Sequence, residues 1–359
     1  MTPTWNVLDE ATMVELTAAL AEKTGIDLIG ASVVASGSRV VGNYHAFSDV
    51  DFYVRVAGEF PPEGHVAHRL GSYVCQFNHV SEAALEVLTT TLVPPLVLTP
   101  RDPQAVRTVY DHDKLASRIA TGRLILGPPM VPEGFLEGYR QAKISQLVQQ
   151  ISRLLEDLAG SVLVADGALI LGACQEIMRD SLELALAAVG DLQYGEILTV
   201  SRADARIETA ELRARLARYA SALEGLDRDA LTDHPVVLAV ARTASWLSLA
   251  TARRFARDDL HPIPECHVPD FLATPGSALI NPYAAAVHYS DGRSALLLPD
   301  RAVRVNVDAL EAIWELTSAW GNRNQSIPAA LTAKRVASSE ELSTAAWLDP
   351  KGEGVPHVG

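Results

Sequence analysis

The stretch that decides the fold is Gly37-Ser38-Arg39-Val40-Val41-Gly42-Asn43-Tyr44-His45-Ala46-Phe47-Ser48-Asp49-Val50-Asp51-Phe52-Tyr53-Val54. A Gly-Ser turn follows an apolar run, and ten residues then separate Ser38 from Asp49. Asp49 and Asp51 stand two apart in a segment rich in β-formers, and Val50 to Val56 reads as a strand. Strand side chains alternate faces, so residues i and i+2 converge with Cα atoms ~6–7 Å apart. Two carboxylates so placed repel by roughly 4 kcal/mol at ~4 Å and an effective dielectric of ~20. A hard divalent cation removes that penalty. Mg²⁺ prefers carboxylate oxygens and completes its shell with substrate phosphates. Gly37 lets the backbone approach a phosphate, while the Ser38 hydroxyl and nearby N–H groups can donate to it. Arg39 can add a bidentate contact.

Outward from this stretch, Met13, Leu16 and Leu20 fall at helical spacing, with Asp9 or Thr12 as cap and Gly25 as stop. Ile26 to Ala35 predicts a strand, Gly58 to Gly64 a turn-rich connection, 65–70 a short helix, and Ser72 to Val80 a third strand. This order describes a mixed α/β domain with a small sheet. After Gly127-Pro128-Pro129-Met130-Val131-Pro132, which continues neither a helix nor a central strand, the texture becomes helical. Amphipathic patterns cover roughly 134–160, 166–189, 207–224 and 234–258, and Ile144, Leu147, Ile151, Leu154, Leu155 and Leu158 form one stripe. Beyond His261-Pro262-Ile263-Pro264, Ala284–His288 and Ser294–Leu298 read as a hairpin around Ser290-Asp291-Gly292. Val303–Val307 adds a strand, and Asp308 caps a helix carrying Leu310, Ile313, Trp314 and Leu316. The expected domains are 1–130, a helical 133–260 and a small α+β module at 276–345.

The chain has 359 residues, 48% of them hydrophobic, so a sizeable core is available. Its net charge of −14 repels phosphate backbones, which argues against general nucleic-acid binding and suits a cationic small molecule. Three cysteines, Cys75, Cys174 and Cys266, are too few and too scattered for a disulfide framework or a zinc finger, and predict a reducing cytoplasm. Met1 to Glu15 is acidic, without the basic region of a signal peptide. Asp166 and Arg242 interrupt the most apolar stretches, which predicts no membrane span.

The apolar strand, the Gly37-Ser38 turn and the spaced Asp49-Val50-Asp51 resemble the signature of polymerase-β-like nucleotidyltransferases, most of all the minimal and aminoglycoside-type bacterial ones. Gly122-Arg123-Leu124-Ile125-Leu126-Gly127-Pro128 is similar to the strand that ends the catalytic domain in that family. The resemblance covers about 26–130 by motif and 133–260 by architecture. It implies an α/β nucleotidyltransferase domain followed by a helical domain. It also implies that Asp49 and Asp51 are catalytic and hold Mg²⁺, and that Gly37, Ser38, Arg39 and Lys143 contact ATP or another nucleoside triphosphate. The implied reaction moves a nucleoside monophosphate, in the first instance AMP, onto a hydroxyl of a small, cationic acceptor. A protein hydroxyl is a second acceptor class, and the 276–345 module a place for a protein partner.

The chain departs from the family at the third carboxylate, which binds metal or acts as base on the acceptor. The matching strand, Ser72-Tyr73-Val74-Cys75-Gln76-Phe77-Asn78-His79-Val80, has no acid, and Gln76 or Asn78 stands at that place. An amide hydrogen-bonds but takes no proton at neutral pH. His79 falls on the opposite face from Asn78, and Glu82 and Glu86 follow the strand. The departure supports an alternative, a degenerate nucleotidyltransferase fold acting as a scaffold. Elsewhere the plain readings are a loop histidine at His45, an intrahelical ion pair for Arg179 and Asp180, and no zinc pattern in His261-Pro262-Ile263-Pro264-Glu265-Cys266-His267. Arg202, Arg206, Arg213, Arg215 and Arg218 read as a solvated helix face.

Overall fold

The computed structural model describes residues 8–42, 48–93, 104–195, 199–255, 270–272, 282–288, 292–299, 302–308, 310, 311 and 314. Their contacts divide them into two compact units. The first runs from Leu8 to Lys143 and takes in Leu192 to Gly195. The second holds Ile144 to Asp191 and the described residues from Thr199 onward.

In the first unit, α1 (Glu10–Thr24) starts where the Asp9 carboxylate accepts from the Thr12 N–H and stops at Gly25 in the left-handed conformation. The following strand, β1, is shorter than the apolar run suggests and covers Ser32–Ser36. A bend occupies the start of that run, where the Asp27 side chain accepts from the Ile29 N–H. The Gly-Ser turn is not plain loop. It opens a one-turn helix, α2 (Ser38–Val41), closed by Gly42. Then come β2 (Val50–Arg55), a 3₁₀ turn at Pro62–His65, β3 (His68–Leu70) and β4 (Tyr73–His79). The short helix expected at 65–70 is thus a 3₁₀ turn and an edge strand. Two helices that the sequence reading passed over follow, α3 (Glu82–Thr91) and α4 (Gln104–Thr121), before β5 (Arg123–Leu126).

The sheet order is β3-β4-β2-β1-β5. β2 and β4 are parallel and the other pairs antiparallel, so the sheet is mixed. Its two faces differ in chemistry. One carries Val33, Ala35, Val50, Phe52, Val54, Cys75 and Phe77, which pack with Met13, Leu16 and Leu20 of α1 into the apolar core. Phe52 and Phe77 meet edge to face at 6.1 Å. The register puts Ser36, Asp51, Tyr53, Gln76 and Asn78 on the other face, so these polar side chains stand away from that core.

In the second unit, the helical patterns appear as α5 (Phe135–Leu163, whose first turns belong to the first unit), α6 (Gly167–Ala188), α7 (Thr199–Asp204), α8 (Ala210–Glu224) and α9 (Pro235–Phe255). The core side of α9 includes Trp246, which stacks at a tilt on Trp314, 5.2 Å between centroids. α9 is long and apolar enough to cross a membrane by length and composition, yet 89% of it is buried within the protein, as in a core helix. A three-stranded antiparallel sheet of β6 (Ala285–His288), β7 (Ser294–Leu297) and β8 (Ala302–Val305) packs through β6 on α9. The Ser248 hydroxyl accepts from the Ala286 N–H at 2.9 Å, and the Ser245 hydroxyl donates to the Pro282 carbonyl at 3.0 Å. The hairpin connection at Ser290-Asp291 lies outside the described residues, as do His45 and His261 to His267.

The arginine run is only partly the solvated face expected. Arg202 is 1% exposed and clasped by Asp191 at 3.1 Å and Glu183 at 3.0 Å, and Arg215 is also buried. Removing one partner of such a buried pair costs ~3–5 kcal/mol. Arg179 does form the intrahelical pairs, with Glu176 and with its neighbour Asp180.

Candidate functional site

β1 ends at Ser36, directly opposite Asp51 on β2. The next residue, Gly37, has φ +97, a backbone conformation that side chains rarely adopt. A Cβ there would lie 3.4 Å from Asp51 Oδ2 and 3.6 Å from Arg118 Nη1. Gly37 thus keeps open the ground between a carboxylate and a guanidinium. Ser38, the first residue of α2, is half-buried beside it.

Asp51 is buried in β2, and its Oδ1 accepts from two amides: Gln76 Nε2 at 2.8 Å and Asn78 Nδ2 at 3.2 Å. Gln76 sits in register with Asp51 on the parallel strand, Asn78 with Tyr53. Both amides therefore reach the carboxylate, because i and i+2 on β4 share a face. With Oδ1 taken, Oδ2 faces the Gly37 turn. Asp49 differs from the expectation of a place inside the strand. It lies just ahead of β2 and is exposed, although its charge is still felt at Tyr53 and Cys75.

Arg118, on α4, is the site residue that the sequence reading missed. It hydrogen-bonds the Tyr53 hydroxyl, and its Nε is buried without a hydrogen-bond partner among the described residues. Tyr53 is pushed up to about 12, first by burial and then by the Asp51 charge, with Arg118 opposing. Ser36 Oγ is a second buried polar atom with no partner among the described residues. The spacing of Val106, Val109, Ala116 and Ile119, all buried on α4, was a readable helical signal, although His112 departs from helical geometry within it.

The remaining candidates make other contacts, Arg39 with the residue before Asp49 and Lys143 with α4. Arg39 Nε donates to the Ser48 carbonyl at 2.5 Å, and its guanidinium lies 5.4 Å from the centre of the Tyr73 ring. Lys143 pairs with Asp113 Oδ2 at 2.6 Å, and Tyr139 donates to the other oxygen of the same carboxylate at 2.6 Å. A phosphate would compete with Asp113 for that ammonium. His79 stacks on Phe60 at 4.7 Å, and burial holds its imidazole below the usual value. Glu82 pairs with Arg55 at 2.6 Å.

The donor set suits a hard cation. Asp49 and Asp51 offer carboxylate oxygens, and no group of three or more His, Cys, Asp or Glu able to hold a metal occurs among the described residues. Mg²⁺ commonly takes one or two carboxylates and draws its other ligands from water and substrate phosphates, so two acids fit a metal that arrives with a nucleotide. Ser36 Oγ and Arg118 Nε are buried near the Asp51 carboxylate with no hydrogen-bond partner among the described residues.

No family model matches the chain, and no curated protein matches it. One solved structure with some likeness is a nucleotidyltransferase-like protein from Exiguobacterium sibiricum 255-15, 12% identical over 67% of this chain and 80% of that one, with a TM-score of 0.29. So slight a likeness bears on neither the fold nor the chemistry, which rest on strand register and side chains.

Proposed function

We propose that this chain is a magnesium-dependent nucleotidyltransferase that moves a nucleoside monophosphate, AMP from ATP in the first instance, onto a hydroxyl of a small cationic molecule. The observation that carries the reading is the juxtaposition of Asp51 Oδ2 with the Gly37-Ser38 turn, with Asp49 two residues from Asp51, just ahead of the same strand. Asp49 and Asp51 would hold Mg²⁺, which when bound supplies charge neutralisation at the α-phosphoryl group. Gly37, which carries no side chain, would let a phosphate approach the backbone, and the Ser38 hydroxyl would donate to it. The acceptor oxygen forms a bond to the α-phosphorus as the bond to pyrophosphate breaks, and the acceptor proton leaves to solvent or to a base on the acceptor. Gln76 and Asn78 cannot take that proton. Positioning of the acceptor and neutralisation of charge at the α-phosphoryl group supply the larger part of the catalysis of such a transfer. A missing base thus costs on the order of 10²–10⁴ in rate and leaves transfer possible. The net charge of −14 supports a cationic acceptor.

A second reading has its own observation. Two amides on Asp51 and a guanidinium beside it favour a degenerate site that binds nucleotide and serves as a scaffold. Calorimetric titration of ATP with Mg²⁺, on the wild type and on Asp49→Ala/Asp51→Ala, tests both readings. It is paired with a screen of aminoglycoside-like acceptors using radiolabelled ATP. Metal-dependent binding lost in the double variant, with label transferred, supports the enzyme. Binding without transfer to any acceptor supports the scaffold, and no binding of ATP sinks the enzyme that uses ATP and leaves a scaffold that binds no nucleotide.

A further inference from the structure

The Gly37 turn faces a cation from α4, and that has a consequence for metal-free binding. Asp51 Oδ2 and Arg118 Nη1 both lie within 3.6 Å of the point where a Gly37 Cβ would stand. The guanidinium is always charged and carries five donors. One of its hydrogen bonds goes to the Tyr53 hydroxyl, and its Nε is buried without a partner among the described residues. Ser36 Oγ, 1% exposed and opposite Asp51 in register, is likewise buried without a partner. The site therefore contains a guanidinium N–H and a hydroxyl, both buried and without a partner among the described residues, next to a glycine flanked by the Asp51 carboxylate and the Arg118 guanidinium.

We propose that Arg118 is a phosphate-binding residue. It faces Asp51 across the Gly37 turn and contacts the phosphate seated against Gly37-Ser38 when a triphosphate binds. This rests on the nucleotide-site reading above and deepens it. The charge balance gives it a distinctive consequence. Amides at Gln76 and Asn78 add no negative charge, and Arg118 offsets one of the two aspartates. One negative charge rather than two is then left to oppose a polyphosphate in the absence of a divalent cation, which the arginine fork can outweigh. Arginine is matched to phosphate by its planar fork, which lysine lacks.

The test is titration of inorganic tripolyphosphate in EDTA, and separately of ATP with Mg²⁺, into wild type, Arg118→Gln and Arg118→Lys. Thermal melts report that each variant is folded. Arg118→Lys keeps the charge and guards against a Gln variant that fails to fold. The expected result is saturable, salt-sensitive tripolyphosphate binding by the wild type. It should weaken about tenfold or more in Arg118→Gln, as for one charge-assisted contact, and by less in Arg118→Lys. Equal binding by wild type and folded variants overturns the proposal. So does a wild type that binds ATP with Mg²⁺ but not tripolyphosphate in EDTA, an outcome that leaves the nucleotide site standing. A wild type that binds neither ligand overturns both.

Discussion

Gln76 Nε2 donates to Asp51 Oδ1 across 2.8 Å, from the position on β4 that stands in register with that carboxylate. An acid at Gln76 would face Asp51 directly. The amide instead neutralises nothing and fixes the aspartate by hydrogen bonding. Gln76→Glu should therefore create a three-carboxylate set. We expect Mn²⁺, used as a paramagnetic probe, to bind at least about tenfold more tightly, since a hard cation gains an anionic oxygen. Without metal the variant should melt lower than wild type, because like charges meet and a donor is lost. Resonance titration of Mn²⁺ and melts with and without the metal read both effects. An unchanged Mn²⁺ affinity would show that position 76 does not face the cation.

The two aspartates should separate cleanly in their cost to folding. Asp51 is buried and satisfies two amides, so Asp51→Ala strands the Gln76 and Asn78 donors at a cost of about 1–3 kcal/mol. Asp49 is exposed ahead of the strand, so Asp49→Ala should stay within ~0.5 kcal/mol of wild type. Both should nevertheless weaken metal-dependent nucleotide binding. Urea denaturation measures the first contrast and calorimetry the second. Equal stability losses in the two variants would contradict the burial difference.

Local rules made part of this site legible. The period of two in β2 and β4 places Asp51 and Gln76 by counting, and sends His79 to the opposite face. The cap at Asp9 and the stop at Gly25 follow from side-chain chemistry and glycine freedom. The sequence left Gln76 and Asn78 as alternatives for one position, whereas the strand pairing lets both reach the same oxygen. Arg118 was not legible, because its place beside Gly37 depends on how α4 packs against β1, a contact between distant parts of the chain. Arg202 departs from the expected solvated face for a related reason. A charged residue on an amphipathic helix defaults to solvent, and only the tertiary arrangement brings Asp191 and Glu183 to it.

Cys174 is fully buried on α6, and burial pushes its thiol up to about 12. Cys75, buried in β4, is pushed up to about 11, chiefly for the same reason. The thiolate is the reactive form, so neither residue should react with a disulfide reagent at pH 8 in the native protein, while both react once it is unfolded. Peptide mapping by mass spectrometry distinguishes them. The sign for stability follows from the raised value. The unfolded thiol, near 9.0, loses its proton first, so the contribution of the neutral Cys174 is complete below pH 9 and declines as pH rises toward 12. Cys174→Ala should accordingly lose less stability across that window than wild type. Rapid native labelling of Cys174 would show that α6 opens far more readily than its burial implies.

Gly25 and Gly127 both have positive φ, +71 and +77, yet a side chain at each should have different consequences. Beyond Gly25 nothing lies within 4 Å, so Gly25→Ala meets only the left-handed backbone cost of about 1–2 kcal/mol. A Cβ on Gly127 would lie 1.9 Å from the Ala31 carbonyl oxygen and 3.0 Å from Ser32 Cα, both backbone atoms at the start of β1. Neither can turn aside as a flexible side chain would. Gly127→Ala must therefore shift the chain after β5 away from β1, whose pairing places Ser36 opposite Asp51 and Gly37 beside it. We expect a loss of more than about 3 kcal/mol, beyond the backbone term alone. Metal-dependent nucleotide binding should also weaken in any fraction that remains folded. Denaturant titration of the two variants side by side measures the difference. Equal losses would mean that the close approach of Gly127 to Ala31 relaxes without cost to β1.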